Sequence, residues 1–211
     1  MLRALKYLAG VVGVAFAGVI VLNHTLRAAG ESAEYEVIES DGAIEIREYP
    51  DLMLAATASK VDSQGRDGSF MRLFQYISGA NEAQQKIAMT TPVFMEGETG
   101  DSDVTMGFVM PKEVAAKGLP KPKGDGVELR ERKGGQFATI RFPGRVDSKL
   151  AKEQEAKLRG RMKSRNLEGE GSAEVAGYDP PFTPAASRRN EVLIRLSKLA
   201  QTSVTDDADA H

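Results

Sequence analysis

The chain has 211 residues, 41% of them hydrophobic and 27% charged, an ordinary globular composition long enough for one large domain or two small ones. Residues 1–30 hold Arg3, Lys6 and Arg27 and no acid, so 25 of the 28 bases remain against 30 acids and residues 31–211 carry a net charge of −5. Such an acidic domain argues against a nucleic-acid partner, and a chain without cysteine has no disulfide, thiolate metal site, cysteine nucleophile or cysteine-held haem.

Arg3 and Lys6 precede a charge-free run from Tyr7 to Leu26, which as a helix would reach about 30 Å, the thickness of a bilayer's hydrocarbon core. Every face of that run is apolar or small, which argues against a buried helix of the domain. The following "HTLRAAG" places Leu26 or Arg27 where signal cleavage wants a small residue. Residues 1–30 are therefore read as an uncleaved single-pass transmembrane anchor, with secretion after signal cleavage as the alternative. Two bases before the run against one after it put the N-terminus in the cytoplasm. The domain would then stand on the outer (periplasmic or extracellular) side of the cytoplasmic membrane.

Beyond the anchor the chain reads as two copies of one pattern. "IEIREYPDLMLAATASKVD" (Ile44–Asp62) aligns with "VELRERKGGQFATIRFPGRVD" (Val127–Asp147), each giving two strand-like runs. A helix follows in each copy. In the first, Phe70, Leu73, Phe74 and Ile77 keep the spacing of one helix face and Gly79 is a stop. In the second, "DSKLAKEQEAKLRGRMKSRN" is strongly charged, with a thin apolar stripe of Leu150, Leu158 and Met162 and a cap at Asp147 or Ser148. "KIAMTTPVF" (Lys86–Phe94) then matches "EVAGYDPPF" (Glu174–Phe182), each read as a short strand broken by proline. "DVTMGFVMP" and "NEVLIRLSK" close the copies as final strands. The expected architecture is α+β: a distorted eight-stranded antiparallel barrel from two β-β-α-β-β halves, about 35–111 and 126–198, with two flanking helices. Residues 201–211 are a polar tail.

The only histidines are His24 and His211, outside the expected domain, so a Ser-His-Asp triad or a histidine metal site within it is excluded. No catalytic residue is assigned and the chain is not read as an enzyme. An enzyme would need a Glu or Tyr of raised pKa facing a cleft, which sequence cannot display. Glu45, Glu48, Glu128 and Glu131, with Arg47 and Arg130 between them, read as solvated strand faces. Apolar side chains are more telling. Met71, Met89, Met95, Met106 and Met110 gather with Phe70, Phe74, Phe94 and Phe108 around the first helix and the strands after it. Core packing explains any one of them, and together they would also line a cleft for a flat apolar ligand. The second copy is poorer, with Gly177 against Met89 and Leu193 against Met106.

"YEVIESDGAIEIREYP", "FMRLFQYISGAN", "KIAMTTPVFM" and "YDPPFTPAASRRNEV" together resemble the SOUL haem-binding protein family, from about Tyr35 to about Leu199. The resemblance implies the barrel just described, over a domain of residues 31–200. It also implies haem or another tetrapyrrole, bound without covalent attachment beside the first helix by a carrier, buffer or sensor. Phe70 and Phe74 would pack on such a ligand. Met71, Met89 and Tyr76 are the candidate iron ligands where no histidine is on offer, and Arg66 and Arg72 would meet propionates. The alternative is a sensing or interaction module for another apolar ligand or a protein partner, without haem.

Overall fold

The computed structural model describes residues 31–59, 67–97, 104–180 and 182–197. The predicted anchor and Arg66 lie outside these residues. Among the described residues no helix is long and apolar enough to cross a membrane. Residues Glu31–His211 form a compact unit of their own. Its core is supplied by side chains from Ala33 to Leu196.

The elements are β1 (Glu36–Asp41), β2 (Ile44–Tyr49), β3 (Leu52–Ser59), α1 (Ser69–Ile77), β4 (Val93–Glu96), β5 (Val104–Val109), α2 (Lys112–Lys117), β6 (Glu128–Arg132), β7 (Gly135–Phe142), α3 (Ser148–Ser164), β8 (Gly169–Gly177) and β9 (Asn190–Leu196), with a 3₁₀ turn at Ala185–Ser187. β2-β3-α1-β4-β5 and β6-β7-α3-β8-β9 repeat the expected order. The strands are antiparallel neighbours in the order β1-β2-β7-β9-β8-β4-β5-β3-β6. Each half thus lends one strand to the other: β2 pairs with β7 of the second copy, and β6 with β3 of the first. The two connections pass very close at Gly134. A Cβ there would lie 2.5 Å from the Pro50 carbonyl carbon and 2.8 Å from the Asp51 nitrogen, so only glycine fits.

Three expectations change. The described sheet has nine strands and is open, with β1 and β6 as its edges, rather than an eight-stranded closed barrel. The additional strand, β1, carries a bulge between Val37 and Glu39 that breaks the two-residue period by which a strand is recognised. A third helix, the short α2, joins the two expected. Finally, Lys86–Pro92 is not a strand. Thr91 bridges to Ser32 outside the sheet, the Thr91–Pro92 peptide is cis, and β4 begins only at Val93. In the second copy the strand comes before the prolines, so Gly177 pairs with Val93 and not with Met89. A proline ahead of a strand gives up no ladder hydrogen bond.

Strand alternation divides the sheet into two faces. Ile46, Ala55, Met106, Phe108, Ala138, Val192 and Ile194 form one core with Leu73, Tyr76 and Ile77 of α1 and Ala151, Leu158 and Met162 of α3. Asp147 caps α3 as expected, its Oδ1 accepting from the Leu150 N–H at 2.8 Å. Tyr49, Leu54, Phe94, Phe137 and Leu193 fill the other face. The sheet curls around that face. Arg132 of edge strand β6 lies over the rings of Phe137 at 4.4 Å, Phe94 at 4.5 Å and Tyr49 at 5.2 Å.

Candidate functional site

Helix α1 presents two unlike sides. Leu73, Tyr76 and Ile77 are buried against the sheet, whereas Met71 is 51% exposed and Phe74 43%. Phe74 therefore departs from the expected buried stripe. Phe70 is half-buried between the two sides: its ring stacks on Phe74 at 6.2 Å and 12° and meets Phe108 of β5 edge-on at 5.2 Å. Phe70, Met71 and Phe74 thus lie on one apolar side of the helix, with Phe108 packed beneath Phe70. The helix starts after Gly68, at φ 86°, where the Asp67 carboxylate accepts from the Ser69 N–H at 3.0 Å, and it ends at Ile77 before Gly79 at φ 112°.

The remaining candidates are disposed differently. The Tyr76 hydroxyl is buried and donates to the Pro120 carbonyl at 2.8 Å, and burial raises its pKa, so it is committed to holding the chain between α2 and β6 against α1. It is not poised to bind iron. Arg72 donates from Nη2 to the Ala58 carbonyl at 2.7 Å and from Nε to the Thr57 hydroxyl at 3.0 Å, tying α1 to β3. Most of its donors are thus used within the fold. Met89 is half-buried against the core, on the segment whose Ile87 N–H donates to the Ile77 carbonyl at 2.8 Å, near the end of α1. Met95, Met106, Met110 and Phe108 are core residues, and Phe94 is buried on the other face.

The residues on α1 suit the face of a flat apolar macrocycle, with Met71 as the exposed thioether. The site is a surface face on a packed helix. A cavity of about 320 Å³ lies elsewhere, lined by Arg159, Met162 and Lys163 of α3 and by Asn166, Leu167, Glu168 and Gly169 beyond it.

A buried charge network on the opposite face of the sheet was not legible from sequence. Arg47 and Glu191, 1% and 0% exposed, are joined by hydrogen bonds of 2.7 and 3.0 Å. Arg189 donates to the same carboxylate at 2.6 Å, and the Tyr178 hydroxyl donates to it at 2.7 Å. Burial alone would raise the Glu191 pKa, but the two guanidiniums outweigh it and hold it at about 2. Glu45 also pairs with Arg47 at 2.7 Å, and Arg130 with Glu96. The Glu45–Arg47 face is therefore the inner face of the curl rather than a solvated surface, while Glu48 and Glu131 are exposed. Burial raises the pKa of Glu174 and of Tyr178. Neither side chain stands free, since Glu174 pairs with Arg132 at 2.6 Å and Tyr178 donates to Glu191.

The model of the SOUL heme-binding protein family matches residues 30–195. The chain belongs to this family. Heme-binding protein 1 of Xenopus tropicalis is 29% identical over 162 residues, 73% of this chain and 84% of that protein. The Bos taurus protein of the same name is 27% identical over 148 residues, 67% of this chain and 76% of that one. Solved structures share the fold at low identity. A hydrolase from Listeria innocua superposes with a TM-score of 0.55 at 13% identity, over 76% of this chain and 94% of that one. The EcmrR C-terminal domain gives 0.55 at 14% identity, over 74% and 97%. At such identities they speak for the fold alone. In this SOUL-family chain, α1 sets the half-buried Phe70 ring against exposed Phe74, beside the exposed thioether of Met71.

Proposed function

We propose that this SOUL-family protein binds haem or a related tetrapyrrole non-covalently on the outer face of α1, as a carrier, buffer or sensor and not as an enzyme. The observation that carries the reading is the stacked Phe70–Phe74 pair beside exposed Met71, on a helix whose other side is anchored in the core. Burying that face under a planar ligand removes apolar surface from water at about 25 cal/mol per Å². Met71 is the thioether placed to meet iron, and packing supplies the rest of the affinity. Residues 1–30 serve as a single-pass anchor that holds the domain on the outer side of the cytoplasmic membrane. The charge-free run from Tyr7 to Leu26 supports that part.

Titration of residues 31–211 with haemin, followed by visible absorption against a non-haem control protein, tests the ligand. A saturable one-to-one Soret shift is expected, and a featureless, non-saturating response would overturn the reading. A second reading, an apolar ligand other than haem on the same face, draws on the lack of histidine between His24 and His211. Thermal stabilisation by flat compounds that are not tetrapyrroles or by lipid-like compounds, with no effect of haemin, would favour it. Fractionation of cells tests the anchor: full-length chain in the membrane pellet is expected, and mature soluble protein beginning near Gly30 would overturn it.

A further inference from the structure

Helix α3 is the most basic element of an acidic domain. From Ser148 to Arg165 it carries seven bases and two acids, while residues 31–211 as a whole have a net charge of −5. Its buried side is Ala151, Gln154, Leu158 and Met162. Lys149, Lys152, Ala156, Arg159 and Lys163 follow the spacing of one helix stripe, and all five are exposed. The two acids flank that stripe: Glu153 on one side, and Glu155 on the other, where it accepts from Arg159 at 2.8 Å. Arg161 and Arg165, nearer the sheet, are used on Asp41 and Glu39 of β1. At 1.5 Å per residue the stripe runs for about 21 Å. Its far end borders the cavity lined by Arg159, Lys163, Met162 and Leu167.

An independent feature stands at the near end. Phe182 is 85% exposed, the largest exposure of any large apolar side chain among the described residues, and it opens the uncharged stretch Phe-Thr-Pro-Ala-Ala-Ser. That loop is fixed beside the first turn of α3. The Gly144 N–H donates to the Ala185 carbonyl at 2.9 Å, and a Cβ on Gly144 would come within 3.2 Å of Leu150 Cδ2. The neighbouring acids have partners in the fold: Asp147 caps α3, and Asp179 accepts from the Arg189 N–H at 2.5 Å.

We infer that the α3 stripe and the Phe182 loop dock on a membrane surface of anionic phospholipid. An exposed aromatic beside a row of lysines is the chemistry of an interfacial contact: the ring enters the headgroup boundary while the cations meet lipid phosphates. Because the rest of the domain is net negative, the same lipid charge favours an approach through this face. Polyanions without an apolar phase would use the cations but leave Phe182 unused. This contact is separate from the α1 face, and it is tested without residues 1–30, on the unit that carries its own core.

The experiment is flotation of residues 31–211 with vesicles of phosphatidylcholine alone or mixed equally with phosphatidylglycerol. Binding to the mixed vesicles only is expected, with loss when salt is raised to about 0.5 M. The Lys149→Glu/Lys152→Glu/Lys163→Glu triple variant should weaken it by well over tenfold, at about fivefold or more per cation. The charge-matched Lys117→Glu/Lys121→Glu/Lys123→Glu variant, altered elsewhere on the domain, should retain most of it. Phe182→Ser should weaken binding while keeping its salt dependence, with circular dichroism showing each variant folded. Equal loss in both triple variants, binding to neutral vesicles, or tighter binding to heparin than to the mixed vesicles with Phe182→Ser silent would each overturn the inference.

Discussion

Arg47 and Glu191, 144 positions apart in the chain, close a two-pronged ion pair at 2.7 and 3.0 Å in the interior of the curled sheet. The pair joins β2 of the first copy to β9 of the second, across β7. Removing one partner leaves the other charge buried and uncompensated, which costs about 3–5 kcal/mol. Glu191→Gln should therefore lower stability by roughly that amount in urea denaturation. Joint replacement by apolar residues, Arg47→Met with Glu191→Leu, should cost less than either single change.

The same carboxylate sets an acid limb. Its folded pKa of about 2 lies below the ordinary 4.5, so Glu191 stabilises above the unfolded value and loses that contribution as pH falls through the folded one. Glu174 has the opposite sign. Its raised pKa means its protonated form is favoured in the fold, so its effect weakens stability as pH rises past the ordinary carboxylate range. Stability measured from pH 6 down to about 2 should fall by about 3 kcal/mol on account of Glu191. Glu191→Gln should flatten that limb, and an unchanged limb would show that other carboxylates set it.

Ligand binding and stability should separate along α1. Met71→Ala and Phe74→Ala, on the exposed face, should weaken haemin binding on the order of tenfold and change stability by less than about 1 kcal/mol. Leu73→Ala, fully buried between them in sequence, should cost about 2–5 kcal/mol. Haemin titration and urea denaturation of the three variants would separate the two effects. Equal loss of affinity in all three would mean that helix integrity, not the face, governs binding.

Two glycines should respond in opposite directions. Gly134 lies against Pro50 and Asp51 where the two halves cross, so Gly134→Ala should destabilise at the upper end of about 1–3 kcal/mol. Gly160 is an exposed interior residue of α3 with open space around its Cα, so Gly160→Ala should stabilise by about 0.5–1 kcal/mol. Thermal melts of both variants would check the pair.

The duplication, the two main helices, the Asp147 cap and the strands from β2 to β9 outside the proline segment were legible because each rests on local chemistry: alternation, helix spacing, capping and glycine stops. The apolar wealth around α1 was legible as composition, and the family resemblance directed it to a ligand. β1 was hidden by its bulge, and the strand ahead of Pro92 was a false extension from an apolar run. Whether Phe74 faced the core or solvent followed from how far the sheet extends beneath α1, which no helix periodicity encodes. Tyr76 and Arg72 were similarly claimed by Pro120, Thr57 and Ala58 once the chain closed on itself.

By itself, then, the sequence determined the repeating units, their helices and most of their strands, since those depend on neighbours within a few residues. Only the tertiary structure decided which charged face of the strands turned inward. β2 reads as solvated by its own alternation of isoleucine with Glu45 and Arg47. It becomes interior because exchange of β2 and β6 between the copies curls the sheet around them. Water is then replaced by Glu191, Arg189 and aromatic rings, and a carboxylate far along the chain becomes the partner that lets Arg47 remain charged in the interior.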